Sequence, residues 1–216
     1  TGLMVCKVLP DGTRDSSFGN NGFFFHDHSE NVYLYEALED FHIGADESLV
    51  LAGTMRLPAV GERFCAVKVL PNGTFDQTFG DGGLTIYGTL PTDRNFLMNM
   101  AYDPRGFYVL FGSLMRYIEN TRSLYVFMDG SGNILADSFG ETHQVITGPD
   151  SPSMVRRMTL DQAGGFVEGF GFPNRPVGIS GLRRFVFSSP TAFTELPVSP
   201  SSIRTWPNPT SGTLRI

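Results

Sequence analysis

The sixteen residues KVLPNGTFDQTFGDGG, Lys68 to Gly83, decide the reading of this chain, because they occur nearly unchanged as KVLPDGTRDSSFGNNG, Lys7 to Gly22. Pro10 and Pro71, like Phe18 and Phe79, stand 61 positions apart, with no gap between the copies. A fixed spacing of this size marks a repeat architecture. A fainter third copy, around Ser131-Gly132 and Ser138-Phe139-Gly140, lacks the Pro and is out of step by a residue or more. A second element keeps the same beat. DESLVLAG, DPRGFYVLFG and DQAGGFVEGFG end on Gly53, Gly112 and Gly171, each 59 residues from the next.

Between these markers the chain reads as strands. Residues 3–9, 23–26, 33–43, 49–54 and 64–70 are apolar-rich runs of strand length bounded by turn residues. The same holds for 84–88, 96–102, 107–113 and 124–128, then for 144–147, 155–160, 166–172 and 182–187. Four strands in about 60 residues is the content of one propeller blade. The expectation is an all-β chain, a partial β-propeller of about three four-stranded antiparallel blades at roughly 4–64, 65–123 and 124–188. Propellers typically close with 4–8 blades, so three blades would be an arc that needs the remaining blades of the same chain. A β-sandwich or an irregular β-sheet is the competing architecture. Residues 189–205 are rich in Ser, Pro and Thr and read as a linker, and 206–216 form a separate short segment.

Composition narrows the partners. The 216 residues carry a formal charge of -6 and no run of Lys or Arg, which argues against nucleic acid and anionic membrane surfaces. No apolar run approaches the ~20 residues that span a bilayer, so no membrane insertion is expected. Twenty-five Gly and 14 Pro suit many tight turns. Cys6 and Cys65 are expected to be buried free thiols.

In a propeller, the repeated stretch is expected to carry the chain from the outer strand of one blade to the inner strand of the next. Pro10 and Pro71 would end the outer strand by withholding a ladder donor. Gly12 and Gly73 would take positive φ in the turn that follows. Asp15 and Asp76 would accept loop N–H groups, and Phe18 and Phe79 would wedge between blades. Gly19 and Gly80 would redirect the chain. All these roles are structural.

The pattern K-V-L-P-[DN]-G-T-x-D-x-[ST]-F-G-x-x-G, followed by the apolar hairpin closing on Gly, resembles the delta-60 repeat β-propeller family of bacterial proteins over about residues 3–172. The resemblance implies a propeller in a secreted or surface protein, and no catalytic residues. The tail, with Trp206, Pro207, Asn208, Pro209 and Gly212 ahead of Leu214-Arg215-Ile216, resembles the opening of the C-terminal sorting domain of the type IX secretion system. Trp206 stands where that motif more often has Tyr. This second resemblance implies export by the type IX machinery, to the outside or outer surface of a gram-negative bacterium.

Few residues suggest chemistry. His26 and His28, with Asp27 and Glu30 nearby, share a strand face as a metal would require, yet no third ligand stands at a diagnostic spacing. Asp11-x-Thr13-x-Asp15 and Asn72-x-Thr74-x-Asp76 look like the first half of a calcium loop, as does Asp129-x-Ser131-x-Asn133. The Gly at the sixth position and the acid at the twelfth are missing. Turn bracing is therefore expected, no metal site is assigned, and calcium is the one cofactor the pattern offers. Glu36, Glu39 and Asp40 could be drawn as glycosidase carboxylates but read as a wet strand face. Tyr33, Tyr35, Tyr87, Tyr102, Tyr108 and Tyr117 could build a binding surface or simply pack. No nucleophile elbow, Walker loop, dinucleotide fingerprint or zinc pattern is present. The expected function is a secreted binding or scaffold module for an extracellular glycan or protein, with no catalysis in this segment. The alternative is an arc of a secreted propeller hydrolase or lyase acting on polysaccharide.

Overall fold

The computed structural model of the chain describes residues 2–27, 34–58, 60–88, 94–116, 120–135, 144–146, 154–160, 165–172, 179–189 and 192–194. Every regular element among them is a strand. In chain order these are β1 Gly2–Cys6, β2 Phe23–Asp27, β3 Leu34–Ile43, β4 Leu49–Leu57, β5 Gly61–Val69, β6 Leu84–Tyr87 and β7 Arg94–Asp103. They continue as β8 Phe107–Arg116, β9 Asn120–Asp129, β10 Gln144–Ile146, β11 Met154–Leu160, β12 Gly165–Phe172, β13 Ile179–Ser189 and β14 Ala192–Thr194. Each run expected from the sequence falls on a strand. The one addition is β14, which pairs with β13 inside the stretch read as linker.

The strands form four open antiparallel sheets: β1-β2, β3-β4-β5-β6, β7-β8-β9-β10 and β11-β12-β13-β14. This wiring corrects one expectation. Lys68 to Gly83 does not lead from one sheet to the next, because β6 turns back and pairs with β5 in the same sheet. The stretch from Lys7 to Gly22 likewise closes the β1–β2 hairpin. The change of sheet falls between β6 and β7 instead. Expected breaks after residues 64 and 123 therefore fall inside β5 and β9, and the sheets span 34–87, 94–146 and 154–194. The assignment was out of phase by one strand. A tandem repeat reads the same from any starting point, and only pairing decides where a sheet begins.

The two central strands of the β3–β6 sheet, β4 and β5, are buried on both faces, which explains why they read as continuous apolar runs rather than alternating ones. Leu51, Val67 and Val69 pack with Leu3, Phe18 and Phe24 of the first sheet and its loop. Val50, Ala52, Phe64 and Ala66 face the other way and join Leu97, Leu110, Val126 and Met128 of the β7–β10 sheet. The alternation follows the register, in which Leu51 opposes Val67 and Ala52 opposes Ala66. β3 touches β7, and β7 touches β11, so the first strands of successive sheets are neighbours.

Candidate functional site

The repeated stretches hold most of the residues singled out above. In the first, the Leu9 amide donates to the Thr13 carbonyl and the Gly12 amide to the Leu9 carbonyl, closing a tight turn with Gly12 at φ 84°. In the second, Leu70, Thr74 and Gly73 repeat these bonds, with Gly73 at φ 79°. Pro10 and Pro71 occupy the turn, where no ladder needs their missing N–H.

The acidic residues brace their own loops. Asp11 Oδ1 accepts the Thr13 amide and hydroxyl at 2.8 and 2.6 Å, and Asn72 Oδ1 does the same for Thr74 at 3.0 and 2.7 Å. Asp15 and Asp76 accept from Ser17 and Thr78 in the same way. Their remaining oxygens lie 3.5 and 3.8 Å from the Lys7 and Lys68 ammoniums. These hydrogen bonds, foremost those from the Ser17 and Thr78 hydroxyls, hold the Asp15 and Asp76 carboxyls below the usual carboxylate range. The half-calcium pattern is thus occupied by amides and hydroxyls two residues on. Among the described residues no three His, Cys, Asp or Glu side chains are grouped to hold a metal ion.

Each loop also sits on the next one. The Gly19 amide donates to the Asn72 carbonyl at 2.8 Å, and the Gly80 amide donates to the Ser131 carbonyl at 2.7 Å. Gly73 and Gly132 form the floor of these contacts. A Cβ on Gly73 would lie 2.3 Å from the Gly19 nitrogen, and one on Gly132 would lie 2.6 Å from the Gly80 nitrogen. Phe18 and Phe79, directly before the donating glycines, are buried between successive sheets as expected of wedges. The third loop was expected to have slipped. Its first half keeps register: Gly132 has φ 86°, and the Gly132 amide returns to the Asp129 carbonyl. Its Ser138-Phe139-Gly140 half lies outside the described residues.

A polar seam that the sequence reading missed joins the second and third sheets. Asp40 Oδ2 accepts the Asn99 side-chain amide at 2.5 Å and the Met100 backbone amide at 3.1 Å. Thr54 Oγ1 accepts the Leu97 amide, and Thr85 Oγ1 donates to the Gly132 carbonyl. The buried Glu62 carboxylate takes a two-pronged contact from Arg94, with Nε at 2.6 Å and Nη2 at 2.7 Å. Those Arg94 hydrogen bonds hold the Glu62 carboxyl below its usual range. Asp40 and Asn99 occupy matching positions of neighbouring repeats, since each stands two residues beyond the Leu paired with Gly53 or Gly112. That correspondence was the available signal. Asp40 is therefore a joint between sheets.

Several other candidates pack against neighbouring rings. His26 stacks on Phe75 with ring centroids 4.4 Å apart. His28, Glu30, Tyr33 and Tyr117 lie outside the described residues, as do Trp206, Pro207, Asn208, Pro209 and Gly212. Tyr108 is buried, and burial pushes its hydroxyl up to about 12. It forms an aromatic trio with Tyr102 and His42, whose rings lie 4.4 Å apart. Partial burial lowers the His42 pKa, so its ring is neutral at pH 7. Cys65 is a buried thiol as expected, but Cys6 is exposed, because no described residue covers the outer face of β1.

No family model matches the chain, and no curated protein matches it.

Proposed function

We propose that this chain is an arc of a repeat β-propeller of the delta-60 kind, displayed outside a gram-negative cell, and that it works as a binding or scaffold module without catalysis in this segment. What supports the reading is the loop-on-loop linkage. Two copies of one motif join three successive sheets through the same amide–carbonyl bond and the same Phe wedge. The motif's acids are engaged in their own turns, so its repetition serves assembly rather than chemistry.

The aromatic trio lies at the β3–β4 and β7–β8 turns, on the same end of the sheets as the motif loops, where Lys68 reaches Asp46. That end is the proposed contact surface for an extracellular glycan or protein. Screening the purified chain against arrayed bacterial and host glycans, and separately for release of reducing ends from polysaccharides, tests both halves of the proposal. Saturable binding without depolymerisation is expected. Turnover abolished by substituting an acid of this chain would reverse it.

The proposed address is the type IX machinery, read by the segment from Trp206 onward. Deleting residues 206–216 in a type IX-competent host should leave the protein inside the cell. Undiminished export of the deleted form would remove the address.

A further inference from the structure

The three motif loops are alike, but among the described residues only two of them carry another loop. Gly73 and Gly132 have the preceding Gly amide pressed against them, whereas a Cβ on Gly12 would meet nothing within 4 Å. The same contrast runs along the strand that leads into each loop. Met4, Cys6 and Val8 of the first unit correspond to Cys65, Val67 and Val69 of the second, 61 residues on. Met4 and Val8 are 61% and 57% exposed, while Cys65 and Val69 are 3% and 0% exposed. Val67 and Val69 lie under Phe18, and their third-unit counterparts Val126 and Met128 lie under Phe79.

A second gap adjoins the first. Among the described residues β1 pairs with β2 on one side only, although its counterparts β5 and β9 are paired on both. Phe41 and Ile43 of β3 share the face of Leu51 and Leu49, which looks towards the β1–β2 sheet. They are 56% and 58% exposed, whereas Met100, the counterpart of Phe41, is 6% exposed. Exposed apolar surface grouped in this way marks an interaction site.

We infer that Gly12, with Met4, Cys6 and Val8, is a third seat, and that its occupant is a further unit of the same repeat within one polypeptide. That unit brings a Phe-Gly pair like Phe18-Gly19. The Phe packs on Cys6 and Val8, and the Gly amide donates to the Asp11 carbonyl, which corresponds to the Asn72 and Ser131 carbonyls. Two strands equivalent to β3 and β4 pair along the free edge of β1 and cover Phe41 and Ile43. The inference deepens the repeat-propeller reading above and rests on it.

Cys6 reports occupancy directly, since the other thiol, Cys65, is buried and unreactive. The test places a tandem copy of residues 1–61, with the copy's Cys6→Ser, ahead of Thr1, so that Thr1 stands where Glu62 follows Gly61. Alkylation of the remaining Cys6 by iodoacetamide is expected to slow at least tenfold relative to the unmodified chain. The copy's Phe18→Ala should restore most of the original rate. Unchanged Cys6 reactivity in a chain whose Cys65 stays protected would overturn the inference. So would misfolding of the duplicated chain, seen as a reactive Cys65, because a seat for repeat units must tolerate one. Protection of Cys6 that appears in the unmodified chain with rising concentration, alongside a sedimenting dimer, would replace the same-chain unit with a second copy. A failed glycan screen leaves the Cys6 result standing, and a reactive Cys6 leaves the screen standing.

Discussion

The second and third loops receive their neighbours in the same way with different residues. At the second, Asn72 braces the turn by accepting from Thr74. At the third, the brace has moved upstream to Asp129, which accepts the Ser131 and Asn133 amides and the Asn133 side chain. The Pro is gone and the motif is barely legible. Yet Gly73 and Gly132 keep φ of 79° and 86°, and both Asn72 and Ser131 present a carbonyl to a glycine amide. What repeats physically is a backbone shape. Side chains that hold the shape are exchangeable, while a glycine that allows both positive φ and close approach is not.

The largest expected effect comes from removing the wedge that both seats share in form. Phe79→Ala opens a cavity among Leu110, Val126 and Met128 and should destabilise the fold by about 3–5 kcal/mol in chemical denaturation. A loss under about 1 kcal/mol would mean that the sheets are held together elsewhere.

Next come the floors. Gly73→Ala and Gly132→Ala each combine a strained φ with a Cβ against backbone nitrogen, and about 2–4 kcal/mol is expected for both. Gly12→Ala has the strain but an open space, so about 1–2 kcal/mol is expected in the chain as it stands. Equal losses at all three positions would erase the distinction between filled and empty seats.

The braces should separate the two loops more finely. Asp129→Ala removes three accepted bonds and should lower stability by about 1–2 kcal/mol, against about 0.5–1 for Asn72→Ala. Thermal melts of the pair resolve this, at roughly 2–4 °C per kcal/mol for a chain of this size.

The smallest effect is one of pH. Asp76 has its carboxyl pKa lowered in the fold, so its contribution is complete above the unfolded value near 4 and disappears as pH falls through the folded value. Between about pH 5 and 2 the wild type should lose more stability than Asp76→Asn, by under about 1 kcal/mol because the carboxylate stays partly open to solvent. Parallel pH profiles would show that the Thr78 bonds do not favour the ionised form.

Strand positions and the Phe wedges were legible in the sequence, because apolar runs and turn residues act locally. The phase of the repeat was not. Lys68 to Gly83 contains nothing that says whether the next strand turns back onto β5 or moves on to a new sheet. The contacts joining sheets were legible in part. Asp40 and Asn99 are 59 residues apart, close to one repeat, and comparing matching positions would have flagged an acid facing an amide. Glu62 and Arg94 have no such signature, for their contact depends on how β7 approaches β5. The exposure of Cys6 was hidden for a related reason. Its burial depends on a neighbouring unit, not on its own strand.

The bond between loops runs from one peptide amide to another peptide carbonyl, and neither partner's side chain takes part. Recombination that inserts, deletes or reorders whole repeats therefore presents each junction with the same donor and acceptor. Mutations that change a unit's surface leave the coupling to its neighbours intact. Such a joint lets a gene lengthen or diversify its product one segment at a time without first evolving a matching interface.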